Sequence, residues 1–379
     1  MDGVAAAALL PHPDVHRLTR RPFDLPSLFI ADLRVTRPSL TIAIPTYNRA
    51  QNLRLLLSTL ERELAGLGDR VRVLVNDNCS TDDTPEITDD FARRVPGTRV
   101  VRHASNLGPD ENFCRCVAEA DADYFWLIGD DDLPRPGAVR YVLDLIEQQA
   151  PDLVYLESAW HPALVDNGPD SPMPAVVPLA LDQLRFARRV NVWTTFISGL
   201  VVRTDTFAGG AAPDELRRHM QTNLVQLSWV LGTLRRGRSF VYVPTPCVLA
   251  TSGNTGGYGL LKVFGNNFAA IVGQHFGADS AVTRAVVRRC AIGYLPALMW
   301  SLRFASVGDF AYEDPSAALR EQLGGYAAYR LLVVIGRAPR AVARVALLAC
   351  QVGSRLLKLL DRVREPFGGR TALTAPRAR

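Results

Sequence analysis

The amino-acid sequence predicts an α/β fold in which a mostly parallel central sheet is flanked by helices. The prediction rests on short apolar segments of strand length, on apolar residues at helical spacing between them, and on polar turns after each strand. The predicted strands are residues 39–44, 71–75, 98–102 and 124–128, and the predicted helices between them are residues 50–64, 84–94 and 111–120. Because strands and helices alternate, we expect parallel strands with helices on both faces.

Local features support the individual elements. Leu40, Ile42 and Ile44 alternate with small residues, as in a strand, and the next segment repeats leucine at helical spacing. Thr84 and Pro85 form a helix start, since threonine caps helices and proline suits the first helical position.

The remainder of the chain is predicted in three parts. Residues 137–149 and 216–234 are predicted helices, and residues 153–156, 192–202 and 240–243 are predicted strands. Residues 251–258 form a glycine-rich flexible loop, and the chain is helical from about residue 260. We therefore divide the whole chain into an N-terminal extension (1–37), the α/β domain (38–250), and the glycine-rich loop with a helical C-terminal region (251–379).

Composition limits the class of protein. The chain has 379 residues, is 48% hydrophobic and carries a net charge of +5, nearly all of its positive charge coming from arginine. Arginine suits phosphate or anionic-lipid partners, although genomic base composition gives the same bias. The six cysteines match no common zinc spacing, and we expect reduced thiols. Without a signal peptide or an apolar stretch of about 18 residues, the prediction is a cytosolic protein.

An acidic turn follows the fourth predicted strand. Asp130, Asp131 and Asp132 lie where ligands bind in open α/β sheets, at the carboxyl ends of the strands. Three adjacent carboxylates repel one another, and a bound cation would offset that repulsion. Clusters of carboxylate oxygens suit Mg²⁺ or Mn²⁺, which take their remaining ligands from water and a substrate phosphate. A solvated acidic turn is the alternative.

Two other strand ends carry polar residues that belong to the same predicted edge. The first ends at Thr46, Tyr47 and Asn48, and the second ends at Asp77. A stackable ring, a carboxylate that accepts from a base N–H and a cation cluster form the set that a nucleoside diphosphate requires. Taken singly, Tyr47 could be a core residue and Asp77 a capping residue.

In order and spacing, these motifs resemble the family 2 glycosyltransferases, which have the GT-A fold. The resemblance covers about residues 38–250 and rests on residues 44–48, on 75–78 with 80–82, on Asn106-x-Gly108 and on Asp130–Asp132. It implies inverting transfer of a sugar from a nucleotide-sugar donor, usually with Mg²⁺ or Mn²⁺.

The resemblance also implies roles for individual residues. The implied nucleotide-sugar-binding residues are Pro45, Thr46, Tyr47, Asn48, Asp77, Asn106, Gly108 and Asp130. Asp131 and Asp132 are the implied metal-binding residues. Because Gly129 stands at the first position of the family motif, the register could instead make Asp130 and Asp132 the working pair.

The residue pair that supplies the general base in the family has no match in this chain. Where the family usually has Glu-Asp, this chain has residues near Val225 and Gln226, and glutamine cannot take up a proton in this role. Asp214, Glu215 and His219 are the nearest candidates, each with a surface or helix-start role as the alternative.

Three further segments indicate a subgroup within the family. Residues 112–114 depart from the family pattern, and residues 253–258 and 263–268 resemble a subgroup that includes abequosyltransferases. That subgroup implies a CDP-dideoxyhexose donor and a lipid-linked O-antigen intermediate as acceptor.

A basic amphipathic helix is predicted from about Pro339. Its polar positions, most of them basic, fall within an arc of roughly 60° and its apolar positions within a separate arc of roughly 100°, with Leu347 and Arg364 as exceptions. Such a helix can lie on an anionic membrane, or it can pack on the domain with a solvated basic face.

Together these observations predict a cytoplasmic enzyme, peripheral on the inner face of the cell membrane, that builds a surface polysaccharide. Its partners would be a CDP-, UDP-, GDP- or dTDP-sugar, a saccharide acceptor of the polyprenyl-diphosphate-linked kind, and no nucleic acid. A nucleotide-sugar-binding protein without catalysis is the alternative. A nucleotidyltransferase is disfavoured, since no glycine-rich, lysine-bearing phosphate loop lies near the N-terminus.

Overall fold

The computed structural model describes residues 40–163, 173–208, 213–252, 258–305 and 313–364, which form one mixed sheet with flanking helices. The strands are β1 (Leu40–Thr46), β2 (Val71–Asp77), β3 (Thr98–Arg102), β4 (Tyr124–Leu127), β5 (Leu133–Pro134), β6 (Leu153–His161), β7 (Leu179–Leu181), β8 (Leu200–Arg203) and β9 (Phe240–Thr251). Their order is β3-β2-β1-β4-β8-β6-β9-β5, and β7 pairs with β9.

The first four strands form the parallel half of the sheet and place the strand ends. In the register of β1 with β2, Thr46 lies opposite Asp77. In the register of β1 with β4, Ala43 lies opposite Leu127, and the N–H of Ile128 donates to the Ala43 carbonyl at 2.9 Å. The residues that follow β1, β2 and β4 therefore start from the same edge.

The other half of the sheet mixes directions. Strand β8 runs antiparallel between β4 and β6, whereas β6 and β9 are parallel. Strand β9 is long enough to bring its end, Thr251, beside the acidic turn that follows β4.

Helices cover both faces of the sheet. They are α1 (Ala50–Leu64), α2 (Thr84–Arg94), α3 (Pro109–Ala118), α4 (Ala138–Gln149), α5 (Gln183–Val190), α6 (Thr204–Ala208), α7 (Leu227–Arg236), α8 (Phe268–Phe276), α9 (Ala281–Arg289), α10 (Leu295–Phe304), α11 (Pro315–Ala318), α12 (Arg320–Leu323), α13 (Ala327–Arg337) and α14 (Arg340–Arg364). Alternation along β4 divides the core: Trp126 packs with α1, α2 and α4, and Phe125 and Leu127 pack on the face that holds α5 and α7 to α14.

The α/β prediction is confirmed, and the predicted elements up to residue 149 begin and end within two residues of their predicted bounds. The strands predicted at 153–156 and 240–243 are longer than predicted and continue to His161 and Thr251. Two later predictions are wrong in part. Within the predicted strand 192–202, only the residues from Leu200 onward are strand, because the segments Asn191–Thr195 and Ile197–Gly199 form 3₁₀ turns. In the first turn, the hydroxyls of Thr194 and Thr195 bond to backbone carbonyls three residues earlier.

The predicted helix 216–234 is also shorter. Pro213–Arg217 is a 3₁₀ turn and α7 begins only at Leu227. Gln221 and Asn223 adopt positive φ values of 62° and 59°, which a right-handed helix cannot contain.

Some predictions fall outside the described residues. The N-terminal extension (1–37) and most of the glycine-rich loop (residues 253–257) are among them, and the domain boundaries stay a prediction. Among the described helices, none combines the length and apolarity needed to cross a membrane.

Candidate functional site at the strand ends

Polar residues from three parallel strands meet at the edge of the sheet. The Thr46 hydroxyl donates to Asp130 Oδ2 at 2.8 Å, and the N–H of Asn78, just after Asp77, donates to the Thr46 carbonyl at 2.9 Å. Tyr47, beside them, is 42% exposed, so its ring is accessible. The structure thus brings together four of the sequence-predicted residues: Thr46, Tyr47, Asp77 and Asp130.

The three carboxylates of the acidic turn have different surroundings. Asp130 and Asp132 are buried, whereas the side chain of Asp131 retains 20% of its exposure. Burial raises the pKa of Asp130 to about 6, and the charge of Arg49 partly offsets this rise. Burial and the neighbouring Asp131 raise the pKa of Asp132 to about 7. Negative charge here is therefore poorly compensated by the protein.

Arg49, which follows the β1 loop, supplies the positive charge that the turn does receive. Its Nη1 donates to Asp131 Oδ2 at 2.6 Å and lies 3.4 Å from Asp130 Oδ1. From the sequence, Arg49 is only a loop residue without a role. The feature of the sequence that could have indicated a role for Arg49 in the site is its position directly after Tyr47 and Asn48.

Two loops at this edge are joined through side chains. Asn48 accepts from the Thr81 N–H through Oδ1 at 2.8 Å, and its own N–H donates to Ser80 Oγ at 2.9 Å. Asp77 Oδ1 accepts from the Ser80 N–H at 2.9 Å. The two predicted site residues therefore share Ser80 as a neighbour.

The predicted pair Asn106 and Gly108 lies behind the second loop. Asn106 Oδ1 accepts from Asn78 Nδ2 at 2.8 Å and from the Gly108 N–H at 2.9 Å. Asn78 in turn accepts from the Leu107 N–H at 2.8 Å. In this arrangement Asn106 and Gly108 shape the loop that holds Asp77.

Two residues that hold the acidic turn were not found from the sequence. Ser198 Oγ donates to Asp132 Oδ2 at 2.5 Å, and the Thr251 N–H donates to Asp132 Oδ1 at 3.1 Å. Thr251 Oγ1 also donates to the carbonyl of Asp131 at 2.7 Å. Nothing local in the sequence could indicate partners so far along the chain.

The candidate bases have other partners. Glu215 pairs with Arg236 at 2.9 Å, Asp214 is exposed, and His219 is buried with its Nε2 2.9 Å from His275 Nε2. Burial lowers the pKa of His219 to about 4. Gln226 is also buried and donates to the Thr195 carbonyl at 2.7 Å. The assignment of a general base stays a prediction.

The residues fit a divalent cation of the kind that the fold implies. Mg²⁺ and Mn²⁺ take oxygen ligands, and they commonly use one or two carboxylates together with substrate phosphates. Asp131 offers a partly exposed carboxylate beside buried Asp130, in a turn that is short of positive charge. Within the described ranges no group of three or more His, Cys, Asp or Glu side chains is arranged to hold a metal.

The mixed sheet with flanking helices has the GT-A fold. The structure of S. aureus TarS 1-349 in complex with UDP superposes with a TM-score of 0.53 and 16% identity, over 87% of this chain and 93% of that one. The same protein in complex with UDP-GlcNAc gives a TM-score of 0.51 at 14% identity, with the same coverage. At this identity the likeness shows the fold alone.

Residues 41–186 match the family model of Glycosyl transferase family 2. An abequosyltransferase of Salmonella typhimurium is 33% identical over 112 residues, which is 29% of this chain and 33% of that protein. A dolichol-phosphate mannosyltransferase of Pyrococcus furiosus is 32% identical over 99 residues, 26% of this chain and 27% of that protein. The matched region thus spans about a third of these relatives or less.

Proposed function

We propose that the protein is a metal-dependent, inverting glycosyltransferase that moves a sugar from a nucleotide-sugar donor to a lipid-linked saccharide in surface polysaccharide synthesis. The observation that carries the proposal is the meeting of Thr46, Asp77 and Asp130 at one edge of a parallel sheet. The family 2 match and the abequosyltransferase relative support the reaction class.

The donor nucleotide would lie over the ends of β1 and β2. The exposed ring of Tyr47 is available to stack on the base, and the Asp77 carboxylate, buried at the end of β2, would accept from a base N–H. The joined loops hold these two groups at a fixed separation, since Asn48 and Ser80 bridge them. Preorganised loops reduce the entropy lost on binding.

The diphosphate would lie beside Asp131. A divalent cation bound there would neutralise the charge that develops on the leaving diphosphate. Arg49 already contacts Asp130 and Asp131, and it can turn its remaining N–H donors toward phosphate oxygens. The acceptor hydroxyl would need a base on the opposite face of the sugar, with Asp214, Glu215 and His219 as the sequence candidates.

A location at the inner face of the membrane belongs to the same proposal. It is supported by α14, which exposes an apolar stripe formed by Val342, Val345, Leu348, Val352, Leu356, Leu359 and Leu360. Exposed basic residues (Arg340, Arg344, Arg355 and Lys358) line one side of that stripe. Basic amphipathic helices of this kind bind anionic lipid surfaces.

The decisive experiment measures donor binding and turnover together. Thermal stabilisation by UDP, CDP, GDP and dTDP with Mn²⁺ identifies the base, because a ligand that binds only the folded state raises its melting temperature. With the matching nucleotide sugar and a lipid-linked acceptor, we expect nucleoside diphosphate release that EDTA abolishes. Donor binding without acceptor-dependent release would instead identify a binding protein, and no stabilisation by any nucleotide would refute the donor site.

A further inference from the structure

A second concave site lies among residues that have no part in the donor site. A cavity of about 500 Å³ opens between α5, the turn Asn191–Thr195, β9 and α14. Its cationic lining residues are Arg185, Arg188, Arg189, Arg289 and Lys358, and its carboxylates are Glu157 and Asp361. Five cations against two anions give the lining a formal surplus of three positive charges, one of which, on Arg185, is paired with Asp182 outside the cavity at 3.2 Å.

The two carboxylates of this cavity are already engaged. Asp361 forms an ion pair with Arg289 and lies 3.9 Å from Arg188. Glu157 accepts a hydrogen bond from the Tyr242 hydroxyl. The charge of Asp361 is therefore taken up by two arginines, whereas Glu157 keeps its negative charge near Arg189 and lowers the positive surplus of the cavity.

Arg189 and Lys358 are the cations of the lining that have no ion-pair partner among the described residues. The guanidinium of Arg189 stacks on the Tyr242 ring, with Cζ 4.3 Å from the ring centroid. No carboxylate in the described part of the chain forms an ion pair with Arg189 or with Lys358. A guanidinium that stacks on a ring holds its N–H groups in one plane, which favours bidentate binding of phosphate oxygens.

An aromatic ridge connects this cavity with the acidic turn. Trp193 lines the cavity and contacts Trp160, with 5.5 Å between ring centroids, and Trp160 contacts Phe196 at 4.9 Å. Phe196 directly precedes the turn Ile197–Gly199, from which Ser198 donates to Asp132. Trp160 and Trp193 are 44% and 39% exposed, so a molecule can lie along the ridge.

The amphipathic helix α14 borders the same cavity. Leu357 and Lys358 line it, whereas Leu356 and Leu359 belong to the exposed apolar stripe. A ligand with a phosphate in the cavity could therefore extend an apolar tail along α14.

We propose that this cavity binds the phosphate or diphosphate group of the acceptor, whose saccharide lies along the aromatic ridge toward the acidic turn. The inference rests on the proposed transferase function and adds to it a binding site for the phosphate of the acceptor. The phosphate could belong to a lipid-linked saccharide or to a soluble sugar phosphate, which share this chemistry.

The test is calorimetric titration of the full chain with inorganic pyrophosphate in EDTA, where the metal-dependent donor site does not contribute. We expect saturable binding, weakened about tenfold by Arg189→Gln and by Lys358→Gln, since each removes one charge-assisted contact. Arg93→Gln, at an exposed position on α2, is the matched control and should leave the affinity unchanged. Lys358 is also exposed, so its variant should fold normally.

Farnesyl diphosphate identifies the source of the phosphate. Binding tighter than that of pyrophosphate, and sensitive to Arg189→Gln, supports a lipid-linked acceptor; equal affinity supports a soluble one. Absence of pyrophosphate binding, or the same affinity in all three variants, overturns the cavity proposal. Binding of UDP with Mn²⁺ is measured in parallel, so that failure of the donor site is recognised separately.

Discussion

Asp130, Asp131 and Asp132 are adjacent in the sequence but hold different positions in the fold. Asp130 accepts from Thr46, Asp131 pairs with Arg49, and both oxygens of Asp132 accept hydrogen bonds from distant parts of the chain. Asp131 is the most accessible of the three. The sequence alone left the register of the metal-binding carboxylates open, and these contacts favour Asp131.

Replacing Asp131 and Asp132 separately should give opposite results. Asp131→Asn should keep the free energy of unfolding within about 1 kcal/mol, since its ion pair is partly solvated, and lose the extra stabilisation by UDP that Mn²⁺ provides. Asp132→Asn should lower the free energy of unfolding by about 1–3 kcal/mol, because an amide N–H would face a hydrogen-bond donor. Denaturant unfolding and thermal shifts measure both.

A control and a contrary outcome are available for this pair. Asp69→Asn, in the turn Gly68–Arg70 before β2, changes the same charge elsewhere and should affect neither quantity. An Asp132→Asn protein of normal stability that has lost the Mn²⁺ response would assign the metal to Asp132 instead.

At the scale of elements, the loop after β1 depends on one residue with an unusual backbone. Asn48 has φ of 51°, in the left-handed region that asparagine tolerates better than most residues, and it bonds to Ser80 and Thr81. The loop that carries Tyr47 is therefore held to the loop that carries Asp77.

Asn48→Ala should loosen this connection. We expect it to lower the free energy of unfolding by about 1–2 kcal/mol, because alanine is disfavoured at positive φ and the bond to Thr81 is lost. UDP affinity measured by calorimetry should fall about tenfold. Asn48→Gly is the control for backbone strain. Compared with Asn48→Ala, it should recover much of the free energy of unfolding but not the UDP affinity. Unchanged affinity in both variants would separate this loop from nucleotide binding.

Helix α14 shows what an amphipathic pattern leaves undecided. Ala343, Ala346, Leu347 and Cys350 are buried against the rest of the molecule, whereas Val345 in the predicted apolar arc is 67% exposed. Leu347, an exception to the predicted arcs, therefore lies on the face that packs. The helix has a packed, a basic and an exposed apolar face.

This arrangement allows membrane binding to be tested without removing the helix. Leu356→Ser with Leu359→Ser should release the protein from anionic vesicles in a sedimentation assay, since both side chains are about half exposed and would insert among lipids. Stability should change little. Val177→Ser, an exposed apolar residue outside α14, is the control. Retained vesicle binding by the double variant would exclude the stripe as the anchor.

At the scale of the molecule, a pair of buried histidines couples folding to pH. His219, in the segment before α7, and His275, on α8, are joined through their Nε2 atoms. Burial, together with the nearby His219, Arg218, Arg235 and Arg236, lowers the pKa of His275 to about 3. The pKa of His219 is lowered to about 4 by burial and by Arg218. Both rings are therefore neutral in the folded protein at neutral pH.

The stability of the whole protein should follow from this pair. As pH falls below the ordinary histidine pKa of about 6.5, the unfolded chain binds protons that the folded chain does not, so stability is lost toward pH 4. Between pH 7 and pH 5 we expect a loss of about 1–2 kcal/mol per histidine. His275→Gln keeps a hydrogen-bonding group and should reduce that loss by roughly half in urea unfolding. The same pH dependence as in the wild type would contradict this account.

The parallel half of the sheet and its strand-end residues could be predicted from the sequence. Strand and helix periodicities are local, and strands that alternate with helices leave little choice of topology. For this reason the sequence alone was enough to place Thr46, Tyr47, Asp77 and the acidic turn at one edge. The turns at Gln221 and Asn223 could not be predicted, because nothing in their neighbourhood indicates a positive φ.

Contacts between distant segments depend on the tertiary structure. Ser198 and Thr251 bond to Asp132 from 66 and 119 residues away in the chain, and Arg49 forms its shorter ion pair with Asp131. The face of α14 that packs and the cavity beside Arg189 depend likewise on how helices are placed on the sheet. Sequence patterns record which face of an element is apolar, but the partner of each face is set by the packing of the whole chain.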